Sequence, residues 1–190
     1  RVMRERDNVC NYLDIALQHI SDRMLKIMRR NISKQQTIDL INRFREEVPG
    51  IHIRTTMMVG HPGETEADFN ELLDFVKDAR FERLGAFPYS HEEDTYNDKN
   101  YTDDVPANIK QERMNTLMET QEGIALSINE AKVGKTMKVI IDREDPDYYV
   151  GRTEFDSPEV DGEVLISKDM KLNTGDFYDV RIDSAYPFDL

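Results

Sequence analysis

Strand and helix patterns alternate over the first two-thirds of the chain, and this alternation constrains the fold more than any other feature. Strand patterns cover residues 12–17 (YLDIAL), 51–59 (IHIRTTMMV) and 84–89 (LGAFPY), and helical periodicity fills the intervals between them. The segment 51–59 is rich in apolar and β-branched residues, which is typical of a strand buried on both faces of a parallel sheet. Parallel strands joined by crossover helices are the simplest fold for this pattern. The sequence therefore predicts an α/β fold.

Short capping motifs predict where the helices of this region begin. Ser21 precedes one helix, and Ser33 with Gln36 forms a capping box before the next. Thr65 with Asp68 begins a third helix, whose apolar residues recur at the spacing of one helical face. The first two strand patterns are thus each followed by a helix with a defined first turn.

A different pattern begins after residue 90. The segment from His91 to Asp104 has six acidic residues against one lysine and no apolar periodicity. We expect an irregular loop there, serving either as a lid or as a docking segment. Pro106 is expected at the first position of a long helix that runs to about Ala131 and joins two domains.

Short strand patterns separated by turn residues follow Gly134. Such regularly spaced strands predict a small antiparallel β-barrel. We therefore divide the chain into two domains, residues 1–122 and residues 123–190. The four strand patterns are 136–142 (TMKVIID), 148–153 (YYVGRT), 162–167 (GEVLIS) and 176–183 (DFYDVRID).

A single cysteine and a net charge of -13 exclude several classes of protein. One cysteine cannot form an intrachain disulfide, and it cannot by itself ligate an iron–sulfur cluster or a cysteine-rich zinc site. We expect Cys10 to be a small buried residue. No apolar run approaches the roughly 20 residues that a membrane-spanning helix needs. The chain starts at Arg1 without an apolar signal segment, so we expect a cytoplasmic protein and a piece of a longer chain.

The acidic charge is present in both predicted domains. Residues 131–190 contain 14 acidic residues and 8 lysines and arginines, a net charge of -6. A surface of this sign disfavours the phosphate backbone of nucleic acids, which binds lysine and arginine stripes.

Polar residues follow the first predicted strand, where ligands of α/β folds bind. Gln18 and His19 come directly after this strand, and either they face a ligand or they hold the loop and cap the next helix. Arg29 and Arg30 end the next helix, where they either bind a carboxylate ligand or interact with the helix dipole.

A glycine-containing turn, Gly60-His61-Pro62-Gly63-Glu64-Thr65, follows the second strand. Glycine at 60 and 63 lets a ligand approach the backbone, and the helix that follows offers unpaired N–H groups. Glu64 is either a ligand-facing group or an acid that stabilises the helix N-terminus. His61 is either a titratable group in a cleft or an inert loop residue.

The sequence contains no recognisable metal site or catalytic pair. Its histidines, His19, His52, His61 and His91, have no short-spaced ligand partners, and no nucleophile–base pair is visible. We therefore predict no metal ligand and no catalytic residue within this chain.

Several motifs in this order resemble the radical-SAM methylthiotransferases. They are YLDIALQH (12–19) with Ser21-Asp22, Leu25 and Met28-Arg29-Arg30, TTMMVGHPGET (55–65), FPYS (87–90) and VGKT (133–136). The resemblance covers essentially the whole chain. It implies the C-terminal portion of a radical-SAM barrel, which is a partial TIM-like barrel, followed by a TRAM domain, a small OB-like antiparallel β-barrel.

The resemblance also implies cofactors and a partner. One branch of the family modifies an adenosine in tRNA, and another modifies an aspartate of a small-subunit ribosomal protein. The segments RTEFDSPEVD (152–161) and AYPFDL (185–190) resemble the second branch. On this reading Gln18, Arg30, Gly60, Gly63 and Glu64 lie near S-adenosylmethionine in the intact enzyme.

The acidic second domain agrees with a basic protein partner, because opposite charge accelerates encounter and makes binding salt-sensitive. The candidate docking residues for a basic ribosomal protein are Asp142, Glu144, Asp145, Glu154, Asp156 and Asp161.

This sequence departs from the family in one respect. The motif C-x-x-x-C-x-x-C is absent, as is the domain with the cysteines of a second cluster. The two 4Fe-4S clusters that the family implies therefore belong to the intact parent, and we expect this chain alone to be inactive.

Two alternatives remain open. In one, the chain is a non-catalytic acidic protein-binding module. In the other, it comes from the tRNA-modifying branch, which would need a local basic cluster of Lys132, Lys135, Lys138 and Arg152. We do not expect tRNA as the partner.

Overall fold

The structure, a computed structural model, describes all 190 residues. It forms two compact units. One comprises residues 14–46 and 53–121, and the other comprises residues 1–13, 47–52 and 122–190. The elements in chain order are α1 (Val2–Glu5), β1 (Tyr12–Gln18), α2 (Asp22–Ile27), α3 (Lys34–Glu47), β2 (His52–Val59), α4 (Glu66–Ala79), β3 (Arg83–Pro88), α5 (Tyr96–Asn100), α6 (Ala107–Glu130), β4 (Thr136–Glu144), β5 (Tyr148–Thr153), β6 (Val164–Ser167) and β7 (Phe177–Arg181).

The first unit contains a three-stranded sheet in the order β1-β2-β3. Strands β2 and β3 are parallel, with Thr55 opposite Leu84 and Val59 opposite Pro88. This confirms the predicted α/β arrangement. Because α4 connects these two strands, their carboxyl ends lie at the same edge of the sheet.

Only one face of β2 is fully buried, so the prediction of burial on both faces was wrong. Ile53, Met57 and Val59 are inaccessible, whereas Thr56 and Met58 on the other face are partly exposed. Side chains alternate along a strand, so the burial of each face depends on what packs against that face. The segment is apolar enough for two-sided burial, but the tertiary packing fully covers only one of its faces.

The helix starts were predicted correctly, but the Ser21 side chain does not cap α2, because its hydroxyl donates to Asp68 instead. The Ser33 N–H donates to the Gln36 side chain at 2.9 Å, and the Gln36 N–H donates to the Ser33 hydroxyl at 3.2 Å. Thr65 and Asp68 form the same reciprocal pair at the start of α4. These contacts satisfy N–H groups that the first turn of a helix leaves unpaired.

The segment 91–104 is not wholly irregular, as was predicted, because it contains α5. The Thr95 hydroxyl accepts a hydrogen bond from the Asp98 N–H and begins this helix. A five-residue helix is too short to show apolar periodicity, so sequence patterning could not reveal it. Pro106 also lies one position earlier than predicted, immediately before α6, with its carbonyl accepting from the Ile109 N–H.

The second unit contains an antiparallel sheet in the order β6-β5-β4-β7, curled into a half-barrel. Strands were predicted near each of these positions, although β6 and β7 are shorter than expected. Its core includes Val139, Ile141, Tyr149, Val164 and Ile182.

Three other predictions from the sequence concern Cys10, membrane-spanning helices and the domain boundary. Cys10, predicted to be buried, is exposed because it lies in the turn segment before β1. None of the helices has the length and hydropathy needed to cross a lipid bilayer. The domain division at residues 122 and 123 stays a prediction, since the compact unit that contains the antiparallel sheet also includes residues 1–13 and 47–52.

Candidate functional site

The loop after β1 is held by the His19 imidazole. Its Nδ1 atom accepts hydrogen bonds from the backbone N–H groups of Ile20 at 2.9 Å and Ser21 at 3.0 Å. Since Nδ1 is an acceptor in both bonds, a neutral His19 carries its proton on Nε2. The preceding residue, Gln18, has a left-handed backbone with φ 71° and a partly exposed side chain. His19 therefore closes the turn that presents Gln18 at the end of the strand.

Glu64 lies at the centre of a buried network with Gly60, Arg113 and His19, which we call the Glu64 network. Its Oε2 atom accepts from the Gly60 N–H at 2.9 Å, and its Oε1 atom accepts from the Arg113 guanidinium at 2.7 Å. The His19 Nε2 atom is 3.6 Å from Glu64 Oε2, and both side chains are inaccessible to solvent. The network joins the loops after β1 and β2 to helix α6.

Gly60 is required by the close approach of Lys110. Its φ is +70°, and a Cβ atom at this position would lie 2.3 Å from the Lys110 Cγ atom. The Lys110 ammonium group in turn binds the Asp103 carboxylate at 2.6 Å and the Tyr89 carbonyl at 3.3 Å. In this structure the space above Gly60 is filled by the chain's own lysine.

A second buried carboxylate, Asp68, collects hydrogen bonds from Ser21, Arg23 and Thr65; we call these four residues the Asp68 cluster. The Ser21 hydroxyl donates at 2.7 Å and the Thr65 N–H at 2.9 Å, and the Arg23 guanidinium forms an ion pair. Burial alone would raise the pKa of the Asp68 carboxyl, but the hydrogen bonds from Arg23, Thr65 and Ser21 outweigh it and hold this pKa well below its usual range. Asp68 is therefore a permanent anion at neutral pH.

Gly63 is linked to the Asp68 cluster through its backbone. Its carbonyl accepts from Arg23 at 2.6 Å, and its N–H donates to the Asp104 carboxylate at 2.7 Å. Gly63 has φ +78°, so its left-handed turn brings both backbone groups to charged side chains.

His61 lies beneath helix α5 as a neutral base. Its Nδ1 atom donates to the Pro62 carbonyl at 3.1 Å, and its Nε2 atom accepts from the Asn97 amide at 3.0 Å. The Tyr89 ring packs edge-on at 5.0 Å. Burial lowers the pKa of His61, and its bond to Pro62 offsets only part of that effect. His61 thus anchors α5 to the strand ends.

The predicted cofactor-binding residues do not converge on one place in the structure, and Gln18 lies at the end of β1. Gly60 and Glu64 belong to the Glu64 network, and Gly63 belongs with the Asp68 cluster. Arg30 is exposed and donates to the Ala16 carbonyl of β1, apart from both groups. Of these residues, Gln18 and Arg30 retain solvent-accessible side chains, whereas the Glu64 side chain has none of its surface exposed. Their contacts with a cofactor stay a prediction.

Sequence reasoning missed Arg113, Lys110 and Arg23. The first two lie on α6, about 50 residues beyond the loop that they contact, so no local spacing could indicate them. Asp68 was recognised only as a capping residue. An acidic residue in a helix first turn is common, and its additional bonds with Ser21 and Arg23 arise from tertiary packing.

Three of the predicted docking residues form surface ion pairs within the antiparallel sheet. Asp142 pairs with Arg152. Glu144 is 2.9 Å from Lys168, and Asp145 is 3.2 Å from Arg143, which also binds Glu163 at 2.6 Å. A basic partner would have to compete with these internal cations.

The other three docking residues divide between buried and exposed positions. Asp156 is buried and accepts from the Thr153 hydroxyl. Asp161 accepts from the Tyr12 hydroxyl at 2.7 Å and from the Ser157 N–H at 2.8 Å. Among the six residues, Glu154 alone is exposed and forms neither an ion pair nor a hydrogen bond through its side chain.

The basic cluster that a tRNA-binding face would need is also partly engaged. Lys132 is buried and donates to the Asn129 side chain at 3.0 Å, and Arg152 pairs with Asp142. Lys135 is exposed and Lys138 sits opposite Asp179 on the neighbouring strand. Two of the four cationic side chains, Lys132 and Arg152, are thus already bound by other side chains of this chain.

The residues present do not fit an iron–sulfur cluster. Cys10 is the single thiol, and the structure contains no group of three or more histidine, cysteine or acidic side chains that could hold a metal ion. The Glu64 and Asp68 carboxylates already bind cations and N–H groups of the chain, so neither is available as a ligand.

Comparison with known proteins finds family matches for two segments of the chain. Residues 1–76 match the Radical SAM superfamily, and residues 133–190 match the TRAM domain. The ribosomal protein uS12 methylthiotransferase RimO of Parabacteroides distasonis is 64% identical over 189 residues, and that of Bacteroides thetaiotaomicron is 62% identical over 191 residues. These matches cover 100% of this chain. Along its whole length the chain is similar to these ribosomal protein uS12 methylthiotransferases.

The chain spans 44% of the length of these two relatives. The corresponding protein of Cytophaga hutchinsonii is 54% identical, also over the whole of this chain. Among solved structures, coproporphyrinogen III oxidase from Escherichia coli matches 58% of this chain and 27% of its own, with a TM-score of 0.48 and 22% identity. That similarity is too low to support a conclusion about the fold.

Proposed function

We propose that this chain is part of a radical SAM enzyme that methylthiolates an aspartate of ribosomal protein uS12. The observation that supports this most is its identity of 64% along its full length to a protein of that name. The proposed contribution is twofold, since the parallel sheet supplies strand ends for S-adenosylmethionine and the acidic module holds the substrate.

The cofactor part of the proposal depends on the exposed polar groups at the strand ends. Gln18 and Arg30 are proposed to contact S-adenosylmethionine, which supplies the radical chemistry when bound. Gly60, Gly63 and Glu64 are proposed to shape the surrounding loops, because their own contacts are with other residues of the chain. The two 4Fe-4S clusters would need cysteines from outside this chain.

The partner part of the proposal depends on charge. The module from residue 131 to 190 has a net charge of -6, and its exposed acids outside ion pairs include Asp147, Glu154 and Glu159. Acidic side chains that are not already paired contribute most to the binding free energy of a lysine- or arginine-rich protein, since no internal cation is displaced. We therefore expect salt-sensitive binding centred on these residues.

A chimera tests the whole proposal. The segment of the Parabacteroides distasonis relative that matches this chain is replaced by residues 1–190, and methylthiolation of uS12 is measured by mass spectrometry. Activity within about tenfold of the relative is expected, and a folded chimera with no activity contradicts the proposal.

Charge reversal tests the docking part separately. In the 190-residue chain, E154K and D147K are expected to weaken binding of uS12 at low salt. The matched control is E46K, which makes the same change at an exposed position on α3. Equal binding by all three variants would contradict docking on the acidic module.

Two further measurements distinguish the alternatives. Binding of tRNA by the chain in a gel-shift assay, without binding of uS12, would favour the tRNA-modifying branch. Titration with S-adenosylmethionine addresses the module-only alternative, which micromolar binding by this chain would contradict.

A further inference from the structure

The antiparallel sheet has two edge strands, β6 and β7, and only β6 is covered by the chain itself. The Leu165 N–H donates to the Leu190 carbonyl at 2.9 Å, and the Leu190 N–H donates to the Glu163 carbonyl at 2.9 Å. The Glu163 N–H is bound by the Asp189 carboxylate, also at 2.9 Å. The C-terminal residues therefore occupy the outward backbone groups at the start of β6.

The other edge, β7, leaves its outward backbone groups without a partner. Ile182 exchanges hydrogen bonds with Gly134 and Lys135, and the Asp176 carbonyl accepts from Ile141, so even-numbered residues point toward β4. Backbone groups alternate along a strand, so those of residues 177, 179 and 181 point away from the sheet. Three N–H and three carbonyl groups thus form an open edge in β7.

A cavity of about 410 Å³ separates this edge from β6. Its lining includes the apolar side chains of Val164, Ile166, Val180, Ile182 and Leu190. Several of these residues also belong to or pack against the core of the module. The opening between β6 and β7 therefore gives an added strand access to apolar surface.

The outer side of the same edge is acidic. Residues 176–183 contain three aspartates and one arginine, Arg181, which pairs with Asp183 at 2.9 Å. Asp179 lies at the centre of β7 with its side chain exposed, and Asp176 and Asp183 flank the strand. Because strand side chains alternate between faces, an added strand would place one set of residues toward the cavity and the other toward these aspartates.

We propose that β7 binds an extended segment of the uS12 substrate by strand addition, with apolar and basic residues alternating in that segment. The inference rests on the proposed function, and it specifies where and how the substrate is held. Main-chain hydrogen bonds from residues 177, 179 and 181 supply the affinity, and the cavity together with Asp179 supplies the specificity. An unpaired edge strand next to an apolar cavity is the arrangement that this binding mode uses.

The test compares D179P with D179A in the 190-residue chain. Proline removes the central outward N–H and is tolerated at strand edges where the N–H faces solvent, whereas alanine removes only the carboxylate. D179P is expected to bind uS12 at least tenfold more weakly than D179A, with both variants melting within a few degrees of each other. Equal affinities would overturn the inference.

Hydrogen–deuterium exchange on the unsubstituted chain gives a second reading that needs no variant. Amides of residues 177, 179 and 181 are expected to exchange more slowly when uS12 is added. Binding of uS12 without this protection would overturn strand addition and leave the proposed function intact, whereas no binding of uS12 would contradict both. If the chain instead forms a dimer that D179P dissociates while uS12 binding is unchanged, the edge belongs to a second copy and the inference is wrong.

Discussion

The Glu64 carboxylate and the Arg113 guanidinium form a hydrogen-bonded ion pair at 2.7 Å, although 49 residues separate them in sequence. The Glu64 side chain is inaccessible and only 12% of the Arg113 side chain is exposed. A charge buried to this degree needs its partner, because its hydration cannot be recovered in the folded state. This contact therefore couples the loop after β2 to helix α6.

Removing one member of this pair should be strongly destabilising. R113M leaves the Glu64 carboxylate buried without its cation, and loss of a buried partner costs about 3–5 kcal/mol of unfolding free energy. Adding E64Q to R113M should recover part of this loss, since it removes the uncompensated charge. Urea unfolding of the two single variants and the double variant measures the coupling. Strictly additive effects would show that the two side chains act independently.

The ion-paired Asp68 carboxylate should make the free energy of unfolding depend on pH. Its folded-state pKa is depressed, so its stabilising contribution is complete above the unfolded-state pKa of about 3.9 and is lost as the pH falls from there toward the folded-state value. D68N should therefore be less stable than the unsubstituted chain by a constant amount between pH 5 and 7, and the difference should narrow below about pH 4. Urea unfolding at several pH values tests this. D74N, at an exposed aspartate of the same helix, controls for the loss of one charge. A stability difference between D68N and the unsubstituted chain that does not change with pH would contradict the prediction.

Gly60 should tolerate alanine less well than another glycine of similar conformation. At Gly50, with φ +79°, an added Cβ atom would have no atom within 4 Å, whereas at Gly60 the Lys110 Cγ atom would be 2.3 Å away. Both alanines incur the left-handed conformational penalty of about 1 kcal/mol. G60A should lose roughly 1–3 kcal/mol more, because it also overpacks against Lys110. Thermal or urea unfolding of G60A and G50A gives this difference directly, and equal losses would show that Lys110 moves aside freely.

Substitution can distinguish the contributions that the two ring nitrogen atoms of His19 make to stability. Asparagine places a carbonyl oxygen where Nδ1 accepts from Ile20 and Ser21, and its side chain commonly accepts from the N–H two residues on. Glutamine extends beyond that position, so H19Q should leave two buried N–H groups unpaired at about 1–3 kcal/mol each. H19N should therefore be the more stable variant, with slower exchange at the Ile20 and Ser21 amides. The reverse order would indicate that Nε2, near Glu64, matters more.

The fold could be predicted to a large extent because its signals are local. Alternation of apolar residues located the strands, and reciprocal pairs such as Ser33 with Gln36 located the helix starts. The errors were also physical in origin. The short helix α5 has too few residues for a periodic pattern, and the partly exposed face of β2 depends on tertiary packing rather than on the strand's own composition.

The site was less predictable, since each candidate residue could be recognised by type but its partner could not. Glu64 was assigned either to a ligand or to a helix terminus, and the structure shows it bonded to Gly60 and Arg113. The docking acids were chosen by charge alone. Ion pairing then divides them, because Asp142 has a cation on the neighbouring strand whereas Glu154 does not.

The sequence by itself determined the order of helices and strands, the capping motifs, the acidic charge of both parts and the family to which the motifs point. Those properties depend on neighbours in the chain, so periodicity, spacing and composition express them. Only the tertiary structure decided that Lys110 fills the space above Gly60 and that β7 keeps an open edge. These features depend on which distant segments meet, because burial and hydrogen bonding are satisfied by the whole fold rather than by local sequence.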